Sequence, residues 1–183
     1  MVLYLLIAVI VLLLVFLYKT YNALISMRNN LHNAWSDIDV LLTRRHDLVP
    51  NLVESVKGYM THERQTLEAV TAARSAAMQT GGDVVSRGMA EMALGNAVGN
   101  LFAKVERYPE LKASQSFILL QEQITSTENR IAFARQHYNE TVRQFNTKIA
   151  EFPNNLISGA LGFTPEKLFA VDAGDRANVA VQM

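Results

Sequence analysis

Residues Met1 to Tyr18, MVLYLLIAVIVLLLVFLY, carry no charged side chain, and Lys19 ends the run. At 1.5 Å of rise per residue, such a stretch is about the length an α-helix needs to cross a ~30 Å hydrocarbon core. It therefore predicts a transmembrane helix over 1–18. A cleaved signal peptide would want a basic n-region, a shorter apolar stretch and a small-x-small cleavage site. No Lys or Arg precedes the run, and Tyr18-Lys19-Thr20-Tyr21 is a poor cleavage context. A helix of the domain's own core is the other alternative, and a run of this length apolar on every face argues against it.

Flanking charge gives the orientation. Only the α-amino group of Met1 stands on the N-terminal side, while Lys19 and Arg28 follow the span. The positive-inside rule then puts Met1 outside and the large domain in the cytoplasm. This is the expectation for a single-pass protein of a bacterial inner membrane. Tyr18 and Tyr21 suit the membrane–water interface.

The 183 residues hold 17 Lys and Arg against 17 Asp and Glu. No basic surplus is available to neutralise phosphates, so a nucleic-acid partner is not expected. There is no Cys, which removes disulfides, thiolate metal sites, Cys nucleophiles and a lipoprotein anchor together. The four Pro lie at 50, 109, 153 and 165, and the long stretches between them predict helix.

Leu24, Leu31, Ile38, Leu52 and Tyr59 share one heptad position, with Arg45 as the exception. Met27, Ala34, Leu41 and Leu48 fall three residues later, flanked by Trp35, Leu42, Val49 and Val56. This pattern predicts a helix that buries one face. Pro50 removes the hydrogen bond to the His46 carbonyl, predicting a kink within a continuing helix. A second helix is expected over 61–78, a loop at Thr80-Gly81-Gly82-Asp83, and a third helix over 84–105. A last long helix is expected over 109–151, with Phe117, Ile124, Ile131, Tyr138, Phe145 and Phe152 repeating every seven residues. Two long heptad-patterned helices and two shorter ones are best satisfied by an antiparallel four-helix bundle with coiled-coil-like crossings. The expected organisation is a transmembrane helix over 1–18, a bundle over 19–156 and an irregular tail over 157–183. Within the tail, 172–183 reads as weakly ordered.

The segments Ala34-Trp35-Ser36-x-Ile38-Asp39-Val40, Arg44-Arg45-His46-Asp47-Leu48-Val49-Pro50-Asn51-Leu52-Val53-Glu54 and Val56-Lys57-Gly58-Tyr59 strongly resemble the LemA family. So do Ala134-Arg135-x-x-Tyr138-Asn139, Phe145-Asn146, Phe152-Pro153-x-x-Leu156 and Gly162-Phe163. The resemblance covers essentially the whole chain. It implies a single-span membrane protein with a cytoplasmic antiparallel four-helix bundle. No enzymatic activity is established for that family; some relatives are linked to magnetosome formation, others to signalling or membrane protein quality control.

Arg44-Arg45-His46-Asp47 is the densest polar cluster. Neighbours on a helix point 100° apart, so the four cannot converge on one site. Arg45 sits on the seam and needs an acidic partner, with Asp37, Asp39 and Glu128 as candidates. Together with Glu54 these residues form the candidate ion-pair network or partner surface. No catalytic, cofactor-binding or metal site is predicted. The residues three before His32, His46, His62 and His137 are not acidic, which argues against a carboxylate-bridged di-metal bundle. The apolar residues of the tail either fold back on the bundle end or dock on a neighbouring copy or the membrane surface. Leu24, Met27, Leu31, Leu161, Phe163 and Phe169 are the candidates for self-association. The leading expectation is a homo-oligomeric scaffold in contact with membrane lipid. An adaptor recruiting a membrane protein is the alternative, and a ligand-binding or enzymatic bundle is the weakest reading.

Overall fold

The computed structural model describes residues 1–169, and among them every regular element is helical. In order these are α1 (Val2–Lys57), α2 (Arg64–Gln79), α3 (Val84–Val105), the short α4 (Pro109–Lys112), α5 (Gln115–Ala150) and a 3₁₀ turn at Asn154–Leu156. The 172–183 segment, read above as weakly ordered, lies outside the described residues. The chain resolves into two compact units. Among the described residues, one comprises 1–35 and 137–167, the other 36–136 and 168–169.

The apolar run and the first heptad stripe form one helix, α1, long and apolar enough near its N-terminus to cross a membrane. Residues of the run are exposed on all faces, as a lipid-facing segment would be. Beyond it the stripe turns inward. Leu24, Leu31, Ile38, Arg45 and Leu52 are all buried, so the polar exception keeps its place on the seam. Tyr59, expected on the same seam, is instead half-exposed. The helix ends at Lys57, where a turn lets the Tyr59 and Met60 amides both donate to Val56 O, and Met60 becomes the buried residue.

Helix α1 runs through Pro50 without ending. The proline has no N–H, so the His46 carbonyl loses its i+4 donor. In the second unit that carbonyl is taken up by α2, where Arg74 Nε donates to His46 O at 2.7 Å. One backbone defect in α1 thus becomes a tie to α2.

The core of the second unit gathers Leu52, Val56 and Met60 with Val70, Leu94, Leu101, Leu111 and Phe117. Full burial of such side chains is worth about 1.5–3 kcal/mol each. Helix α2 begins at Arg64, later than the expected Thr61, because the intervening residues make turn bonds such as Glu63 N to Met60 O. Helix α3 occupies the expected span, capped by Asp83, whose carboxylate accepts from Ser86 N at 3.2 Å. The last long helix is interrupted. Pro109 starts only the short α4, and α5 begins afresh with Ser114 O accepting from Ile118 N. The seam of α5 then holds from Phe117 through Ile124, Ile131, Tyr138 and Phe145, while Phe152 lies beyond the helix and is exposed.

In the first unit the residues after α5 fold back on the chain. Asn146 grips Glu166 twice, donating Nδ2 to its carbonyl and accepting its amide, both at 2.8 Å. Tyr138 donates its hydroxyl to Lys167 O at 3.1 Å. Gly162 has φ of 78°, a left-handed value that suits glycine. The turn it makes brings Phe163 against Tyr21 and Phe145, at ring distances of 5.9 and 6.3 Å.

The Pro50–Arg74 relation gives a double-mutant test. Arg74→Met is expected to cost about 1–3 kcal/mol by stranding the His46 carbonyl. In a Pro50→Ala background, which restores the helical donor, the cost should fall markedly. Equal costs in the two backgrounds, measured by urea unfolding, would disprove the link.

A buried ion-pair knot as the candidate functional site

Arg45, on the seam of α1, enters the second unit as a positive charge with its side chain 3% exposed. A guanidinium removed from water needs charged partners and filled hydrogen bonds. Helix α5 supplies Glu128, whose two carboxylate oxygens each accept from Arg45 Nη1 at 3.0 Å. Helix α3 supplies Glu91, which accepts from Arg45 Nη2 with a carboxylate oxygen and, at 3.1 Å, with its carbonyl. His46 adds Nε2 at 2.9 Å from the other Glu91 oxygen. Three helices are thus fastened through one fork-shaped cation, whose planar donors match two carboxylates at once.

The electrostatics follow from that packing. Burial pushes the Glu91 carboxyl up, but the hydrogen bond from His46 and the charge and hydrogen bond of Arg45 outweigh it and leave it below the ordinary glutamate value. Burial and the neighbouring Glu166 carboxylate push Tyr138, in the other unit, up to about 12.

The structure separates the five candidate surface residues. Arg45 and His46 converge on Glu91, whereas Arg44, Asp47 and Glu54 are exposed and take no part in the knot. Of the three acids considered for Arg45, Glu128 is a partner. Asp39 pairs with Arg87 of α3 instead. Glu91 was not among the candidates. Its signal was present: it is the one acid in α3, and it lies on the same face as the buried Leu94, Val98, Leu101 and Val105. Gly95 of α3 also lies beside Arg45, where an added Cβ would stand 3.6 Å from Nη1, an ordinary contact.

A cleft of about 370 Å³ opens beside the knot, lined by Asn96, Gly99, Phe102 and Asn129 as well as by the ion-paired groups. Among the described residues, no three His, Asp or Glu gather as a metal-ligand set. Glu63, just before α2, holds Lys104 and Arg107, and the Lys104 hydrogen bond heads the effects that lower its pKa.

The proposed self-association residues need correction. Leu24, Leu31, Phe163 and Phe169 are buried within their own chain, and Met27 is half-buried. Their apolar surface is spent on the fold; Leu161 alone of the six stays exposed.

Removing Arg45 strands buried carboxylates. Arg45→Met is therefore expected to destabilise the protein by about 3–5 kcal/mol. Because the folded-state pKa of Glu91 lies below its unfolded value, its contribution is complete above the ordinary glutamate value and is lost as pH falls through the lowered one. Melting temperatures from pH 7 to about pH 3 should thus fall less steeply in Glu91→Gln than in the native chain. Parallel profiles would show that Glu91 does not carry this acid sensitivity.

The LemA family model matches residues 34–183. The chain is 28% identical over 158 residues to Protein LemA of Metamycoplasma hominis, a match covering 86% of this chain and 72% of that protein. It is 24% identical over 189 residues to Magnetosome protein MamQ 2 of Paramagnetospirillum magneticum, and 25% identical over the same length to Magnetosome protein MamQ of Magnetospirillum gryphiswaldense. Each of those two matches covers 89% of this chain and 70% of the relative. With the family model matching from within α1 to residue 183, the chain belongs to the LemA family.

Proposed function

We propose that this protein is a non-enzymatic, membrane-anchored scaffold that assembles laterally with itself and organises the membrane or its proteins. In this reading the helices form an antiparallel four-helix bundle, the N-terminus lies outside and the bundle lies in the cytoplasm. A core drawn from α1, α2, α3 and α5 supports the bundle, and the Lys19 and Arg28 flank supports the orientation. The relatives named as magnetosome proteins are in keeping with a role in membrane organisation.

The observation that carries the reading is an apolar face left uncovered in the second unit. Val40 of α1 and Phe133 of α5 are 69% and 74% exposed, and with Leu41 they line one shallow groove. Asp37 and Arg130 border it, and neither forms an ion pair among the described residues. A face carrying both signs around an apolar centre can complement itself about a two-fold axis, Asp37 of one copy meeting Arg130 of the other. An anchor confines copies to a plane and raises their effective concentration, so a small contact suffices. The expected result is a large homogeneous assembly of the full-length chain extracted from its own membrane, with Phe133→Asp lowering its mass. A strict monomer in several detergents and in lipid would refute the scaffold.

A second reading, an adaptor for a membrane protein, is favoured by a separate groove of about 790 Å³ between the end of α1 and α2. Val53, Met60 and Leu67 form its apolar lining, and Glu54, Lys57, Arg64 and Glu68 its charged rim. Such a groove suits the apolar face of a partner helix. A particle carrying a second protein at fixed ratio would favour this reading over self-assembly.

A further inference from the structure

Three exposed apolar side chains follow α5 in the first unit. Phe152 and Leu156 are 79% and 70% exposed, and Leu161 is exposed beyond them. They are held in place by their neighbours. Asn154, between the first two, is buried and accepts a hydrogen bond from the Thr20 hydroxyl at 3.5 Å, while its Nδ2 donates to Lys148 O at 3.0 Å. Ser158 donates to Ile149 O at 3.2 Å. Phe163 closes the turn against Tyr21, with the Arg28 guanidinium 5.4 Å from its ring centre.

These contacts fix the turn at one depth. Thr20 follows Lys19, the first charge after the apolar run, so it stands where a spanning helix leaves the hydrocarbon. A turn one hydrogen bond from Thr20 lies in the same headgroup layer. Exposed Phe and Leu side chains are poorly placed in water but well placed at the boundary between headgroups and acyl chains.

We propose that the 152–161 turn is a second membrane contact, inserting Phe152, Leu156 and Leu161 into the bilayer surface beside the span. The inference rests on reading 1–18 as membrane-spanning. The lipid surface is the occupant because any bilayer crossed by that helix is already present at Thr20, whereas a second copy would have to be brought there. The adjacent Lys148 is engaged by Glu151 at 3.1 Å, so anionic lipid is not required. Two points of contact would limit the tilt and rotation of the anchor, which one span leaves free.

The absence of Cys makes the test direct. Phe152→Cys and Leu156→Cys would be nitroxide-labelled in the full-length chain and reconstituted in phosphatidylcholine vesicles. Collision with oxygen would be compared with collision with a water-soluble nickel chelate. Leu13→Cys serves as the lipid reference and Glu140→Cys, exposed on α5, as the aqueous one. The expected result is an oxygen-to-nickel ratio at 152 and 156 several-fold above that at 140 and below that at 13. Ratios at 152 and 156 equal to that at 140, with Leu13 shielded from nickel, would overturn the inference and leave the span intact. An aqueous reading at Leu13 would overturn both. Singly labelled chains whose label at 152 or 156 is shielded from both probes and dipole-coupled to the same label on another chain would mean that a second copy covers the turn, which also overturns it.

Discussion

A guanidinium at a core position sets the terms for the helices around it. Arg45 occupies the heptad place that Ile38 and Leu52 fill on either side, and a cation there is tolerable only where carboxylates meet it. Glu91 of α3 and Glu128 of α5 must therefore arrive at matching heights. A slip of one turn in any of the three helices would leave a buried charge unmatched. Apolar contacts among Leu52, Leu94 and Ile124 are far less particular about register, since hydrophobic burial has no direction. The Arg74 bond to the carbonyl freed by Pro50 adds α2 to the same arrangement.

Much of this was legible in the sequence because helix periodicity is a local signal. The stripe of α1, the α3 span, the loop before it and the α5 seam from Phe117 to Phe145 all follow from spacing. The need of Arg45 for an acid was legible too, and Glu128 was within view. Glu91 was not, because the acids weighed lay on the first and last long helices, and the face that the lone acid of α3 shares with Leu94 and Val98 was passed over. The break between α4 and α5 was hidden for another reason. Ser114 precedes a new helix with no Pro or Gly beside it, so the apolar pattern alone runs across the break. For Leu24 and Leu31 the stripe could not tell the fold from self-association, because a heptad stripe looks the same whether its partner is the same chain or another copy.

Polarity divides the protein's work. Arg45 and His46 of its densest charged cluster are folded inward and taken up by internal pairing, while large apolar side chains stand uncovered elsewhere: Val40 and Phe133 in one unit, Phe152 and Leu156 in the other. Surfaces of that kind bind lipids and proteins better than they carry out reactions. A helix able to span the membrane, joined to a rigid ion-paired core with apolar faces, is consistent with a part that holds other things in place.

The Arg45 knot joins α1, α3 and α5 and sets their register. The most direct test replaces its charges together, as Arg45→Met with Glu91→Met in the full-length chain, and compares stability and native mass in lipid with the parent. Removing the two fully buried charges leaves only Glu128, about one-third exposed, without its cation, so the pair should recover most of the stability lost in Arg45→Met alone and keep the parent's assembly mass. A double variant that folds as stably as the parent but loses its assembly would contradict the account and make the knot itself the site of interaction.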